Sequence, residues 1–271
     1  MNSRGQAPNN HRAAGTDDPR AFVGPPQKYD LVAAMQFNLL TFLGLREQHT
    51  LLDIGCGSLR AGKLFIPYLQ EGGYCGIEPE QWLVAQGIEQ ELGKDILRIK
   101  KPVFSYSSDF DCVVFEREFD YILAQSIFSH ATQQQVRTCV SEAGRVMKPS
   151  SLFLATFIVG DRDYTGDEWV YPGCVTYTAR FMEAVAESCG LACRLIGWPH
   201  PNRQQWMALG SPQRLEAVAD IGDITNLFRL QSELDACQNR LARIESHPVV
   251  RVGLAARRTL RRIRGNAGPR S

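Results

Sequence analysis

Leu51-Leu52-Asp53-Ile54-Gly55-Cys56-Gly57-Ser58-Leu59-Arg60 is the stretch of this 271-residue chain from which its fold is read. Thr50–Ile54 is a short apolar run with strand character, and a helix is expected over Leu59–Leu69. An acid and two glycines lie between them. In an open α/β sheet, ligands bind where a strand's carboxyl end turns into the next helix. Glycine lets the backbone approach a ligand without a Cβ in the way. The first turn of the helix then offers unpaired N–H groups. Alone, these residues specify only a tight strand–turn–helix connection.

Working outward, strands and helices alternate. Before the motif, Leu31, Val32, Met35, Leu39, Leu40, Phe42 and Leu43 recur at helical spacing, predicting an amphipathic helix over Tyr29–Leu45. After it, strands are expected at Gly73–Ile77, Val103–Tyr106, Phe119–Ala124 and Ser151–Ile158. Helices are expected at Gln81–Leu92, Gln133–Val146 and 178–190. Ala192–Ile196 and Gln205–Leu209 are two late strand-like segments. The alternation predicts an α/β protein with a Rossmann-like doubly wound sheet, mostly parallel with a late antiparallel strand, and a C-terminal helical extension.

The predicted organisation has four parts: a disordered segment 1–28, rich in Pro, Gly, Asn and Arg; a catalytic-type domain over 29–215; a short heptad helix over 221–247; and a basic amphipathic tail over 248–271. Leu227, Leu230, Leu234, Cys237, Leu241 and Ile244 step by three and four, the spacing of a coiled-coil seam. From Arg251 onward there are seven arginines and no acid, so the preceding residues carry −6 against +1 for the whole chain. That acidic body gives no general case for nucleic-acid binding. The tail lacks aromatics, which disfavours nucleic acid there as well. The eight cysteines are scattered, mostly through apolar runs, and read as buried free thiols of a reducing compartment; Cys189 and Cys193 have a suggestive gap, but no second Cys or His pair stands near to complete a zinc site, and no metal is expected. No apolar run is long enough for a membrane span, and the N-terminus has no signal-peptide core.

The next acid narrows the ligand. Glu78 closes the second strand, 25 residues after Asp53, where a carboxylate can accept both hydroxyls of a ribose. Asp109, after the third strand, is placed to take a hydrogen bond from an adenine amine, with Phe110 against the ring. Gly55, Gly57 and Arg60 occupy the frame of a dinucleotide G-x-G-x-x-G, so its last glycine is missing.

In this order the motifs resemble the class I S-adenosylmethionine-dependent methyltransferases, over about Tyr29–Leu209. Leu51–Arg60 is similar to the family's first motif and Glu78 to its ribose-binding acid. Phe119–Ser126 resembles the fourth strand and post-strand motif, and Arg145–Pro149 followed by Leu152–Phe157 the approach to the fifth strand. The chain departs from the family at Leu59, where a third glycine is common. The resemblance implies S-adenosylmethionine as cofactor and Asp53, Gly55, Cys56, Gly57, Arg60, Glu78, Asp109, Phe110 and Gln125 as its binding residues, with Arg60 facing the cofactor carboxylate.

His130 and His200 are the candidate catalytic bases, since a hydroxyl acceptor must lose its proton near the transition state. Loops 161–173, with Tyr164, Trp169 and Tyr171, and 198–206, with Trp198, His200 and Arg203, mix aromatic and polar groups suited to a small hydroxylated molecule or a glycan. The expected function is therefore O-methylation of such an acceptor. The tail resembles the helical ends of bacterial surface-polysaccharide assembly enzymes. It predicts a cytoplasmic protein, peripheral at the inner membrane face, with the heptad helix making a homodimer and the basic tail meeting an anionic membrane surface. The competing expectation is a non-catalytic methyltransferase-like scaffold or membrane-surface assembly protein.

Overall fold

A computed structural model describes residues 18–218 and 222–246. They fall into two compact units divided at 221/222. The tail 248–271 lies outside the described residues.

In the first unit, α1 (Pro19–Phe22) and α2 (Tyr29–Phe42) precede β1 (Leu51–Ile54) and α3 (Gly62–Tyr68). β2 (Tyr74–Ile77), α4 (Gln81–Gly87), α5 (Lys94–Lys100) and β3 (Val103–Ser105) follow, then β4 (Phe119–Ala124), α6 (Gln133–Arg145) and β5 (Met147–Phe157). The chain continues through α7 (Ala179–Ser188), β6 (Ala192–Ile196), β7 (Gln205–Gly210) and α8 (Pro212–Glu216). The seven strands lie in the order β3-β2-β1-β4-β5-β7-β6. β1 to β5 pair in parallel, and β7 runs antiparallel to both β5 and β6. The order reverses between β1 and β4, so their carboxyl ends open the crevice in which such sheets bind ligands.

The period of two along each strand divides the core into two layers. Leu52, Ile54, Ile122, Ala124, Phe153 and Ala155 pack with Val136, Val140, Met182 and Val185 of α6 and α7. Leu51, Tyr121, Leu123, Leu152 and Leu154 pack on the other face with Val32, Leu39, Phe65 and Val84 of α2, α3 and α4. Strands buried on both faces read as continuous apolar runs, which is why the alternation is visible in the sequence.

The structure corrects several boundaries. α3 begins at Gly62 rather than Leu59, because Gly57 and Leu59 take φ of +54° and +59° and continue the turn. α5 was not expected; it buries none of its residues, and Gly93 at φ +79° separates it from the preceding helical run. The largest correction concerns 18–28, expected to be disordered. Asp18 caps α1, the Arg20 guanidinium grips Glu91 at 2.6 and 3.0 Å, and Phe22 packs edge-on against Trp82. Lys28 donates to Pro201 O and Asn202 Oδ1. The folded unit therefore includes residues before 29 and runs through Val218.

The second unit's described part is one helix, α9 (Gly222–Ser246). Leu234, Leu241 and Ile244 are half exposed on it, and Cys237 is exposed. Cys174 is exposed as well, so the expectation of generally buried thiols fails at these two positions; all eight are free. No described helix is long and apolar enough to cross a membrane.

Candidate functional site

The site grows from the turn after β1. Gly55 and Gly57 both have positive φ, +72° and +54°. A Cβ at Gly55 would stand 2.1 Å from Ile127 Cδ1, and one at Gly57 2.8 Å from Val23 Cγ1. Both positions thus require glycine for conformation and for space. Leu59, where the related family commonly has glycine, itself adopts φ +59°. The turn keeps its left-handed geometry with a buried leucine in that place.

Two acids converge on this turn. Asp53, at the end of β1, is buried and accepts the Tyr74 hydroxyl at 2.8 Å. Burial raises its carboxyl to about 6. Glu78 follows β2; its Oε2 accepts the Gly57 N–H at 2.9 Å and its Oε1 the Glu80 N–H at 3.0 Å. Burial pushes it up to about 7 against those two stabilising bonds. Cys56 is also buried here, its thiol held well above the ordinary range; its N–H donates to Ile77 O at 3.1 Å, clamping the turn to β2.

Arg60 supplies the site's cation. It donates to Val23 O at 2.8 Å and to Gln125 Oε1, and burial lowers it to about 10. Both of these partners are neutral, and Arg60 forms no ion pair among the described residues. A buried guanidinium paired only with neutral oxygens has the donor geometry to receive a carboxylate. Asp53, Gly55, Cys56, Gly57, Arg60 and Gln125 line one small cleft, which Val23 closes from the N-terminal segment.

Gln125 links this cleft to His200. Arg60 can only donate, so the Gln125 oxygen faces it and the amide faces His200 Nε2 at 3.0 Å. The Asn202 N–H meets His200 Nδ1 at 3.1 Å. Protein donors therefore face both ring nitrogens, and burial with Arg60 and Lys28 nearby lowers His200 to about 4. A neutral ring accepts at one nitrogen only, so one of these two contacts is a hydrogen bond, and Gln125 and Asn202 together hold His200 beside the Arg60 bridge.

His130 differs. Its Nδ1 lies 2.9 Å from Val170 O and 2.7 Å from Gly173 O, so it carries a proton and donates to these carbonyls. In the neutral ring the lone pair is then on Nε2. Burial lowers the His130 pKa below the usual histidine value, which keeps the ring neutral at pH 7. Trp169 and Tyr171 stand beside it at 5.6 and 5.2 Å between ring centres, and Tyr171 contacts Phe22 at 5.3 Å.

Asp109 and Phe110 are not drawn into this group by any described contact. Asp109 is exposed and receives the Ser107 hydroxyl, while Phe110, at φ +62°, packs against the core. Phe22 and Val23 were missed because their Pro- and Gly-rich surroundings read as disorder. Thr156 was missed because a single polar residue within an apolar run carries no periodic signal, and Ser126 and Gln204 because they lie in polar loop segments with no motif spacing.

No protein-family model matches the chain. Among solved structures, it is similar to the magnesium protoporphyrin IX methyltransferase of Synechocystis with bound S-adenosylhomocysteine (SAH), at 11% identity over 71% of this chain and 92% of that one, TM-score 0.52. It is also similar to a sugar N-methyltransferase of Streptoalloteichus, at 13% identity over 78% of this chain and 99% of that one, TM-score 0.53. A third is a glycopeptide N-methyltransferase complexed with SAH, at 10% identity over 68% of this chain and 90% of that one, TM-score 0.51. With this sheet, and with its likeness to these enzymes over most of their length, the chain has the class I S-adenosylmethionine-dependent methyltransferase fold.

Proposed function

We propose that this protein is an S-adenosylmethionine-dependent methyltransferase. The observation that carries the reading is one cleft lined by two glycines at positive φ and by the cation of Arg60 with neutral hydrogen-bond partners, with the buried carboxylate of Glu78 bonded to the Gly57 N–H. Glu78 suits a ribose diol, and Arg60 suits the carboxylate of the methionine part. Asp53, Gly55, Cys56, Gly57 and Gln125 complete this part of the binding set. Asp109 and Phe110 complete its adenine end, provided that Asp109 turns away from Ser107. When bound, S-adenosylmethionine supplies a methyl group that its sulfonium already makes electrophilic.

For the acceptor, we infer a hydroxyl of a small molecule or glycan. His130 is its base: Nδ1–H is committed to two carbonyls, so Nε2 takes the acceptor's proton as the oxygen–methyl bond forms. Trp169 and Tyr171 flank the ring and offer stacking faces to such a molecule. Holding the acceptor in line contributes through proximity, which in well-aligned reactions is worth about 7–11 kcal/mol.

Isothermal titration of the purified chain with S-adenosylmethionine and SAH tests the cofactor reading; a folded sample that binds neither overturns it. Transfer of labelled methyl to a hydroxyl-bearing extract fraction tests the acceptor. The apolar positions exposed on α9 support a homodimer through that helix. The cytoplasmic, membrane-peripheral placement and a role in polysaccharide biosynthesis rest on the composition of the tail, and loss of liposome binding on deleting 248–271 tests them.

A further inference from the structure

Gln125 reaches Arg60 and His200 from the end of β4, and the residue after it is strained. Ser126 has φ +65°, a conformation that crowds the Cβ of a non-glycine residue against the following carbonyl oxygen. Such strain persists where surrounding bonds over-determine the backbone. Here they come from one buried cluster. Thr156 Oγ1 accepts the Ser126 N–H at 2.7 Å and donates to Gln204 Oε1 at 2.6 Å. The Gln204 amide donates to Ser126 Oγ at 2.7 Å, and Ser129 Oγ donates to Ser126 O at 3.0 Å. Thr156 and Ser129 are fully buried and Gln204 is 7% exposed. With Thr156 donating to the Gln204 oxygen, the Gln204 amide faces the hydroxyls of Ser126 and Ser129, at 2.7 and 3.4 Å.

Gln204 therefore braces both sides of the Arg60 bridge. It holds Ser126, the neighbour of Gln125, and it ends the loop that carries His200 and Asn202. We propose that Gln204 is a positioning residue for recognition of the cofactor's amino-acid carboxylate, acting through Ser126 and Gln125 on Arg60. This rests on the cofactor reading above and extends it to a residue that touches neither the cleft nor Arg60.

The test compares two ligands of the full chain by calorimetry: SAH, which carries the carboxylate, and 5′-methylthioadenosine, which lacks the amino-acid part. Glu78 serves the ribose of both, so their affinity ratio isolates the Arg60 end. Gln204→Leu is expected to weaken SAH by about tenfold or more, the scale of a hydrogen bond to a charged group, with methylthioadenosine unchanged. Thr156→Val, which frees the Gln204 oxygen, should collapse the same ratio and serves if Gln204→Leu folds poorly. Below about pH 5.5, Gln204→Glu should restore the ratio, since a buried carboxyl stays protonated and reproduces one acceptor and one donor. Equal losses for both ligands, or no loss for SAH, overturn the proposal and leave the cofactor reading standing. Failure of the wild-type chain to bind either ligand overturns both.

Discussion

The carboxylate of Glu78 accepts the backbone N–H of Gly57 at 2.9 Å, tying the end of β2 to the turn that follows β1. The bond shapes the turn before any ligand arrives. With Glu78 as the proposed ribose acceptor, cofactor affinity should follow one titration.

Burial raises Glu78 from its ordinary 4.5 to about 7. Ribose hydroxyls donate to the ionised form, so SAH affinity should rise with pH up to about 7 and then level. The limiting slope is about tenfold per pH unit. Glu78→Ala should lose about ten- to hundredfold in affinity at pH 8, together with the pH dependence. Stability runs the opposite way. A raised carboxyl favours the protonated fold, so this contribution is complete below pH 4.5 and is lost as pH rises through about 7. Melting of the ligand-free chain across that window should show a downward slope that is shallower in Glu78→Ala. A flat wild-type binding profile would exclude Glu78 as the ribose acceptor.

Leu59 is buried and left-handed at once. Leu59→Ala removes the side chain and keeps the strain. Leu59→Gly removes both. The usual order therefore reverses: both variants lose stability, by about 2–5 kcal/mol for alanine, and glycine should be the milder by about 1 kcal/mol. Chemical denaturation of the two reads the difference. Alanine more stable than glycine would mean the turn relaxes.

These two residues mark what was legible in the sequence. The place of Glu78 could be read because a parallel strand buried on both faces is a visible apolar run, and the next residue must lie at the crevice. Leu59 looked like a departure because a sequence shows residue types and not dihedral angles. Phe22 and Val23 were hidden because their order comes from partners distant in sequence, Glu91, Arg60 and Tyr171, rather than from any local pattern. The Arg60–Gln125–His200 bridge joins three loops, so no spacing announces it.

Phe22 sits between Trp82 and Tyr171 with ring centres at 5.2 and 5.3 Å, holding Val23 over Gly57. Aromatic pairs are worth about 0.5–1.5 kcal/mol each beyond burial. Phe22→Ala should therefore speed SAH dissociation by about five- to hundredfold in stopped-flow displacement, with a smaller fall in thermal stability. Unchanged release would mean that this segment covers the cleft without controlling it.

On α9, Leu234, Leu241 and Ile244 keep about half their surface exposed at heptad spacing. Light scattering at about 100 µM, a concentration suited to a seam of few heptads, should report a mass above the 30.3 kDa of one chain. Leu234→Lys with Leu241→Lys should return it to that value with SAH binding intact. A wild-type monomer at this concentration would remove the dimer.

His130 offers the sharpest separation of enzyme from scaffold. Its Nδ1 is held by the carbonyls of Val170 and Gly173, so His130→Asn would keep a donor near them and lose the basic Nε2. SAH affinity should stay within about twofold, because His130 makes no described contact with the cofactor cleft. Methyl transfer to a hydroxyl should fall by about 10²–10⁴, the range for loss of a general base. Wild-type kcat/KM should rise with pH through a value below the ordinary 6.5 of histidine, and the variant should lack that limb. Full transfer by His130→Asn would point to an acceptor that needs no base, such as an amine already neutral at working pH. Cofactor binding with no transfer by either protein, on any fraction, would favour the scaffold.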